Sequence, residues 1–382
     1  MSRKRRKPKN EAELKNYNLK NFVNEKVYSP IETNNVKKIA DAAIKILAEI
    51  GMSDAPKELC ELVLKRGGKL EGDRLIYPPN LIENTIAKHQ RVVLLAGQTI
   101  ENDLHVGGNH VYAGTGGAAP NLQNSKTNEY VPSKLKDLYN AARLADRLPH
   151  ISFFSRSLVA GDVEDPLEFD LSTAAASLAG TSKHVMVQAS HWSHVVAIAE
   201  LCYKIAGGEE SFRKRPFLSL HVNHAVPPLR FDPASIKVMI EAVKLGIPVH
   251  CNVFGQLGAS SPVTIAGSVS QTLAENLAGL VAVHILDPEA PSIAGPRPMI
   301  TDLRTGGMAG GAPEQLMATA AAVQVMQYWD IPCSVIAGAT DSKLVDFQSG
   351  YEKALTINSA AQTGANLITQ AAGSQASLMA VN

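Results

Sequence analysis

The segment 331–353, IPCSVIAGATDSKLVDFQSGYEK, joins an apolar run to a cluster of charged side chains. Residues 331–337 form an apolar, β-branched run that predicts a buried parallel strand. Asp341 lies in the polar turn that follows, and Asp346 and Glu352 lie near the start of a predicted helix. Parallel α/β proteins place their chemistry at the carboxyl ends of buried strands, because the strand fixes the turn and the turn faces a cavity. The sequence therefore predicts the active site here, with Asp341, Asp346 and Glu352 as the catalytic carboxylates.

These three carboxylates would suit a cationic substrate. Carboxylates around an apolar pocket stabilise a quaternary ammonium group, and aromatic rings add cation–π contacts. The aromatic residues available for such contacts are Tyr112, Phe153, Phe154 and Phe254. Asp346 has an alternative, structural role as the N-cap of the helix that follows it. Lys343 is suited to a salt bridge or to Schiff-base chemistry, and its position beyond the strand favours the salt bridge.

Eight apolar strand candidates alternate with helical stretches over the larger part of the chain. The predicted strands are residues 110–114, 151–159, 184–189, 216–222, 247–254, 291–295, 331–337 and 366–371. The predicted helices are residues 132–148, 165–178, 193–205, 233–245, 263–286, 313–328 and 347–361. Eight strands that alternate with helices predict an α/β fold of the TIM (β/α)8 barrel type.

The predicted barrel occupies residues 109–382 and follows two other segments. Residues 1–30 are rich in basic side chains and predict a disordered tail, whereas residues 31–108 predict a small α+β cap or packing domain. After the eighth predicted strand only SQASLMAVN remains, and an outer helix needs at least about ten residues. The final outer helix is therefore expected to be missing. Either the chain is a fragment, which we favour, or a partner subunit covers that face.

A barrel places polar and glycine-rich residues just beyond its strands, where they line one opening. The candidates for substrate binding are Asp302, Arg304, Asn223, His224, Gln188, Asn252 and Lys343. The candidates for cofactor binding are Gly114, Thr115, Gly116, Gly117, Gly306 and Gly307, since glycine lets the backbone approach a flat ligand. The GTGG segment at residues 114–117 lacks the spacing of a phosphate-binding loop, so a tight turn is an alternative explanation of its glycines. For Asp302 and Arg304, an ion pair with each other is the alternative to substrate binding.

The composition excludes several classes of function. The 382 residues include 45% hydrophobic ones, enough for one large core, and the net charge of +1 provides no overall basic field that would attract nucleic acid. The four cysteines are widely spaced, so no disulfide framework is predicted and a reducing cytoplasm is expected. No uninterrupted apolar run reaches the roughly 18 residues of a membrane span. The histidines that follow or end strands lack the spacing of a metal motif, so no metal site is predicted, and His221 is expected to pack in the core.

Three motifs carry a resemblance to a known family. They are IAGATDSKLVDFQSGYEK at residues 336–353, ITDLRTGGMAGGAPEQ at residues 300–315 and RKRPFLSLHVN at residues 213–223. Through them the chain resembles the trimethylamine:corrinoid methyltransferase family over nearly its whole length. The resemblance implies a TIM barrel that moves a methyl group from a methylated amine to the cobalt of a cobalamin carried on a separate corrinoid protein. We also expect a homo-oligomer without a membrane or nucleic-acid partner.

The turn after the seventh predicted strand contains ordinary residues only, GATDSK, where founding members of that family carry pyrrolysine. The resemblance is therefore to the branch without pyrrolysine, whose members resemble demethylases of quaternary amines such as glycine betaine. In that branch the three carboxylates would surround the cation, and Arg304, Arg297 or Arg156 would hold a substrate carboxylate. Two other functions stay open: a lysine-dependent, aldolase-like barrel enzyme that uses Lys343, and a betaine-binding or inactive barrel.

Overall fold

The computed structural model describes residues 28–124 and 126–381, so most of the predicted basic tail at 1–30 lies outside the described residues. The helices in this range are α1 (Thr33–Glu49), α2 (Lys57–Leu64), α3 (Pro79–Lys88), α4 (Leu135–Arg147), α5 (Pro166–Gly180), α6 (Trp192–Ala206), α7 (Glu209–Lys214), α8 (Pro233–Lys244), α9 (Ile265–Leu286), α10 (Pro313–Tyr328) and α11 (Phe347–Thr363). The first strands are β1 (Met52–Ser53), β2 (Lys69–Glu71), β3 (Arg74–Ile76), β4 (Val92–Leu95), β5 (Leu104–Gly107), β6 (Tyr112–Ala113), β7 (Asn121–Gln123) and β8 (Tyr130–Pro132). The remaining strands are β9 (Phe153–Ser155), β10 (His184–Val187), β11 (Leu218–Val222), β12 (Val249–Leu257), β13 (Ser292–Ile300), β14 (Ser334–Ile336), β15 (Leu367–Thr369), β16 (Ser374–Gln375) and β17 (Ala380–Val381).

Eight of the strands run parallel and form two hydrogen-bonded groups. Strands β9 to β13 pair in chain order, and β14, β15 and β6 form the second group. Single parallel bridges connect the groups on both sides, from Gly114 to Phe153 and from Ala294 to Cys333. The strands therefore form one curled parallel sheet, and the α/β class predicted from the sequence is confirmed. We call the end at which the carboxyl ends of these strands lie the mouth.

Strand β12 shows why the curled sheet has one apolar and one polar face. Val249, Cys251 and Val253 belong to the large hydrophobic core that the sheet shares with the outer helices. His250 and Asn252 alternate with them and point to the concave face, because successive side chains of a strand point to opposite sides. Both are fully buried. The concave face thus holds polar side chains away from bulk water.

Capping residues fix where the helices begin and end. The side chains of Asp165, Asp232 and Thr264 accept hydrogen bonds from the first turns of α5, α8 and α9, respectively. Proline follows both aspartates, at a position where its missing N–H costs no hydrogen bond. Gly364 ends α11 with a φ of +93°, a conformation that glycine adopts without strain. These signals set the length of each loop that connects a strand to its helix.

Helix α9 lies in the centre of the core. It is long and apolar enough to cross a membrane, with a mean hydropathy of 1.2, but 89% of its most apolar segment is buried inside the protein. Helix α1 and strands β12 and β13 pack against it. An apolar helix that is enclosed on all sides is typical of a protein core, so we describe α9 as a core helix.

The N-terminal elements close the end of the sheet opposite to the mouth. Four apolar side chains of the hairpin β4–β5 pack against four residues on the concave face of the parallel strands. The hairpin contributes Val93, Leu95, Leu104 and Val106, and the strands contribute Phe153, Met186, Ile293 and Leu367. Phe153 and Leu367 are the first residues of their strands. The predicted α+β region at 31–108 therefore includes an apolar plug, while α1 packs outside, against α9 and α10.

The described residues after β15 fold back over the mouth. They contain no helix up to residue 381 and instead form β16 and β17, and β17 pairs with β7. Together with β8 these strands make a small sheet beside the loop that follows β14. The sequence did not predict it, because strands of two or three residues show no hydrophobic alternation.

Candidate active site

A cavity of about 90 Å³ lies in the mouth, and we call it the central cavity. Residues within or just beyond seven of the parallel strands line it, among them Gly116, Arg156, Gln188, His221, Arg297 and Gln370. Gly116 and Gly117 line one side with φ angles of +155° and +112°, in the region that favours glycine. A side chain at Gly116 would meet Gln370 Cγ at 3.2 Å, so the small residue keeps the cavity open. Two of the glycines predicted to bind a cofactor are thus part of the cavity wall.

Arg297 is a buried cation on the wall of the central cavity. It is 5% exposed, and its Nε and Nη2 atoms have no hydrogen-bond partner among the described residues. Its guanidinium carbon lies 5.1 Å from the centre of the Phe254 ring. Burial lowers the pKa of Arg297 to about 9, which still leaves the group charged at neutral pH. A charged guanidinium with two nitrogen atoms that donate no hydrogen bond is suited to bind an anion.

Arg156 is a second guanidinium on the same wall. Its Nη2 atom donates a hydrogen bond to Oε1 of Gln188, and its Nε atom has no partner among the described residues. The guanidinium also lies 5.8 Å from the ring centre of Phe169. Burial lowers the pKa of Arg156, and the nearby Asp170 carboxylate opposes that effect. No carboxylate from the described residues lines the central cavity, so its charge is positive.

His221 lines the same cavity as the two arginines and is neutral. Burial, followed by electrostatic interactions with His250, Arg297 and Arg156, holds the pKa of His221 well below its ordinary value of 6.5. Its Nε2 atom lies 3.3 Å from Sδ of Met186. The sequence predicted His221 to pack in the core. The residue is buried, and it also lines the cavity.

A chain of buried hydrogen bonds lies below His221. His184 Nδ1 is 2.9 Å from the carbonyl oxygen of Ala96, and because a carbonyl only accepts, Nδ1 carries the proton. His184 Nε2 must then accept from the Ser219 hydroxyl at 2.8 Å, and Ser219 Oγ must accept from His250 Nε2 at 2.9 Å. His250 Nδ1 is left as an acceptor without a partner among the described residues. The chain therefore fixes both imidazole tautomers.

A second cavity of about 420 Å³, which we call the side chamber, adjoins the first. The two share Arg156, Gln188 and His221. Asp170 of α5 and Asn223 beyond β11 also line the side chamber. Asn223 is exposed, so the side chamber opens to solvent at the mouth. Of the predicted substrate-binding residues, Gln188 and Asn223 lie at these cavities. Arg156 and Arg297, which the resemblance suggested as partners of a substrate carboxylate, lie there as well.

Asp341, a predicted catalytic carboxylate, binds neighbouring loops and does not line either cavity. Its two oxygens accept hydrogen bonds from the backbone N–H groups of Gly310 at 3.0 Å and Gly311 at 3.2 Å. Oδ1 also accepts from the hydroxyl of Ser377 at 2.9 Å. Asp341 thus ties the loop after β14 to the loop after β13 and to the segment between β16 and β17.

The other two predicted catalytic carboxylates are also engaged in local contacts. Glu352 accepts hydrogen bonds from Thr340 Oγ1 at 2.5 Å and from the backbone N–H of Asp341 at 2.9 Å. Asp346 is the N-cap of α11, which is the alternative role that the sequence suggested for it. Its side chain accepts a hydrogen bond from the backbone N–H of Ser349 at 2.9 Å. The Ser349 N–H and the Ser342 hydroxyl lower the pKa of Asp346. Neither carboxylate lines the cavities, so the predicted acidic wall is not assembled there.

Several predicted binding residues lie elsewhere. Asp302 and Arg304 pair with each other at 3.2 Å on an exposed loop, the alternative that the sequence left open. His224 is fully buried, with Nε2 2.9 Å from the Glu275 carbonyl oxygen of α9. Lys343 is exposed and donates to the Asp341 carbonyl at 2.8 Å, outside both cavities.

The remaining candidates divide between the interior and the surface. Asn252 is buried on the concave face, and neither polar atom of its side chain has a partner among the described residues. Thr115 Oγ1 donates to the Ser155 carbonyl at 2.6 Å and so links two neighbouring strand ends. A side chain at Gly114 would meet the Phe153 ring at 2.3 Å, so close packing against Phe153 requires glycine at this position. Gly306 and Gly307 lie on the exposed loop after β13.

Comparison with known proteins places the chain in a family. The family model described as trimethylamine methyltransferase (MTTB) matches residues 1–382. The trimethylamine methyltransferase MttB of Desulfitobacterium hafniense strain DSM 10664 / DCB-2 is 27% identical over 359 residues, which cover 94% of this chain and 70% of that protein. The glycine betaine methyltransferase of Desulfitobacterium hafniense strain Y51 is 26% identical over 350 residues, covering 91% and 72% of the two chains.

A solved structure shares the fold. The crystal structure of the Methanosarcina barkeri monomethylamine methyltransferase (MtmB) superposes with a TM-score of 0.62 at 13% sequence identity, covering 91% of this chain and 70% of that chain. At such low identity the likeness concerns the fold alone. The match of the family model over the whole sequence is what assigns the chain. This protein belongs to the trimethylamine methyltransferase (MTTB) family.

Proposed function

We propose that the protein transfers a methyl group from a methylated amine that also bears a carboxylate, such as glycine betaine, to the cobalt of a cobalamin carried on a partner corrinoid protein. Family membership supports methyl transfer. The observation that carries the substrate class is the pair of guanidiniums of Arg156, which is half-buried, and Arg297, which is buried. Both have N–H groups without partners in a cavity that no carboxylate of the described residues lines. A substrate with a permanent positive charge and no anion would be repelled there.

Arg156 and Arg297 would hold the substrate carboxylate. Each presents N–H groups without partners among the described residues, and charge-assisted hydrogen bonds to a carboxylate satisfy them. The hydrogen bond from Arg156 to Gln188 and the contact of Arg297 with Phe254 fix the direction of each guanidinium before the substrate arrives. Fixing the carboxylate orients the amine end of the substrate, and orientation of this kind lowers the barrier to a displacement reaction.

The reaction itself needs little acid–base chemistry from the protein. A quaternary nitrogen has no lone pair to protonate and leaves as a neutral tertiary amine, so the chain must mainly desolvate the cation and align one methyl group. Neutral His221 fits this requirement, because it adds no positive charge beside the ammonium. Bound cobalamin supplies the nucleophilic cobalt. Gly116 and Gly117 belong to the cavity wall at the mouth, from which the cobalamin would approach.

The fold supports the same proposal. We propose that the eight parallel strands and their bridges form the (β/α)8 barrel expected from the sequence, comprising residues 109–382. Residues 31–108 would form a packing region that plugs the end opposite to the mouth. The barrel fold places the reaction at the carboxyl ends of the strands, where both cavities lie. The corrinoid partner would then dock over the mouth.

The test uses the purified protein, reduced corrinoid protein and a panel of methylated amines with and without a carboxylate. We expect loss of the cobalt(I) absorbance with glycine betaine and little change with tetramethylammonium, which has the same ammonium group but no anion. Equal rates with the two compounds would overturn the assignment of the arginines. No reaction with any methylated amine would overturn the proposed function.

A further inference from the structure

Asp170 is a buried carboxylate in the wall of the side chamber, and its side chain is only 3% exposed. Its Oδ2 atom accepts three hydrogen bonds, each 2.7 Å long, from the Ser190 N–H, the Ser190 hydroxyl and His194 Nδ1. All three reach the same oxygen. The other oxygen, Oδ1, accepts no hydrogen bond from the described residues. One half of the carboxylate is therefore held in place and the other half remains available.

The charges around the two cavities are arranged as a dipole. Asp170 lines only the side chamber, Arg297 lines only the central cavity, and Arg156 lines both. Asp170 is close enough to affect the pKa of Arg156, so the negative and positive groups act over a short distance. A zwitterion with an ammonium and a carboxylate a few bonds apart matches this arrangement. A simple anion or a simple cation matches only part of it.

We propose that the side chamber is the cation subsite, in which Oδ1 of Asp170 faces the methylated ammonium of a substrate whose carboxylate lies on Arg156 and Arg297. The inference rests on the proposed function, since it takes the carboxylate-bearing amine as the ligand. The two guanidiniums repel an ammonium from the central cavity, and Asp170 offers the anionic wall next to it. The side chamber, at about 420 Å³, has room for a trimethylammonium group and opens to solvent beside Asn223.

A purely structural role for Asp170 makes a different prediction. If the carboxylate only anchors Ser190 and His194, its effect on ligand binding does not depend on the charge of the ligand. Glycine betaine and 3,3-dimethylbutanoate separate the two roles, because they have the same shape and the same carboxylate and differ by nitrogen or carbon at the branched centre. If the side chamber is the cation subsite, Asp170 strengthens the binding of glycine betaine and does not strengthen the binding of 3,3-dimethylbutanoate.

The experiment measures the affinity of the full chain for both compounds by calorimetry, without a corrinoid. We expect the wild-type protein to bind glycine betaine at least about tenfold more tightly than 3,3-dimethylbutanoate, as a buried charge contact implies. Asp170→Asn keeps an oxygen for the Ser190 N–H and removes the charge, so it should abolish this preference. It should leave the affinity for 3,3-dimethylbutanoate unchanged or increased.

Asp165→Asn is the matched control, because it makes the same charge change on the same helix and asparagine is an equally good N-cap. It should retain the preference of the wild type. Equal binding of the two compounds to the wild type, or a preference that persists in Asp170→Asn, overturns the subsite and leaves the carboxylate site standing. Absence of binding by both compounds overturns the substrate class as well. Equal binding of the two compounds by the wild type overturns the subsite even if the variant does not fold.

Discussion

The guanidinium of Arg297 lies 5.1 Å from the centre of the Phe254 ring, which contacts this buried cation where no described residue supplies an acidic partner. Phe254 belongs to β12 and Arg297 to the neighbouring β13, where the two residues are register partners. The cation is thus fixed on the concave face by the sheet itself. An unpaired buried charge costs free energy of folding, which a bound anion would recover.

Because of this cost, replacing Arg297 should increase the stability of the ligand-free protein and weaken the binding of the ligand. Arg297→Met replaces the buried guanidinium by an apolar side chain of similar length, so we expect the free energy of unfolding of the ligand-free protein to rise by about 1 to 2 kcal/mol. Glycine betaine should bind at least about 30-fold more weakly, because a charge-assisted contact is lost. Chemical denaturation and calorimetry measure the two effects. Arg143→Gln, an exposed change on α4, should alter neither.

The contacts of Asp341 predict a structural effect. Asp341→Ala removes the acceptors for Gly310 N, Gly311 N and Ser377 Oγ, so the free energy of unfolding should fall by about 2 kcal/mol. Since Asp341 lines neither cavity, the affinity for glycine betaine should remain near that of the wild type. A stable variant that no longer binds the ligand would instead support the catalytic role that the sequence predicted.

Glu275 on α9 predicts a dependence of stability on pH. Burial raises the pKa of Glu275 from 4.5 to about 7. The unfolded chain loses this proton above pH 4.5, whereas the folded protein holds it up to about pH 7, so stability falls as the pH rises between these values. Glu275→Gln removes the titration and keeps the acceptor for Leu229 N.

We therefore expect Glu275→Gln to be more stable than the wild type above about pH 7, by on the order of 2 to 3 kcal/mol. The difference should shrink toward pH 4.5, the ordinary pKa of the group. Denaturation curves over this range measure it. A constant difference between the two proteins at every pH would show that Glu275 does not titrate as described.

The buried chain from His184 to His250 predicts imidazole tautomers that nitrogen NMR can read. The His184 ring should carry its proton on Nδ1 and the His250 ring on Nε2, and both rings should stay neutral at neutral pH. Ser219→Ala removes the hydroxyl that connects them. We expect the His250 signals to change while His184 keeps its Nδ1 proton, because the Ala96 carbonyl still accepts it. A His250 ring protonated on Nδ1 in the wild type would contradict the chain.

The parallel strands could be predicted from the sequence because each is a short apolar run bounded by glycine, proline or polar residues. The prediction at 184–189 matches β10 at His184–Val187, and the helix expected at 233–245 matches α8 at Pro233–Lys244, where Asp232 supplies the cap. Local sequence contains these signals. The position of the site at the strand ends followed from the fold class, and both cavities lie there.

The roles of individual side chains could not be predicted in the same way. Asp341 looks like a free carboxylate in the sequence, and its partners are backbone groups about thirty residues away that only the folded chain brings near. Asp170 was missed because it lies inside a helix and meets Ser190 through the packing of α5 beside β10. One signal was present and undervalued. Arg297 interrupts a run that forms a buried strand, and charged residues are almost never fully buried without a partner.

The apolar plug formed by β4 and β5 has a kinetic consequence. Among the described residues, Val93, Leu95, Leu104 and Val106 seal one end of the curled sheet, so a ligand in the central cavity enters and leaves through the mouth, where the proposed protein partner would dock. Under the proposed function, a docked partner blocks exchange of the amine. Catalysis should then follow a compulsory order in which the amine binds first and its demethylated product departs last, after the partner has dissociated. Excess corrinoid protein should accordingly act as a competitive inhibitor of the amine.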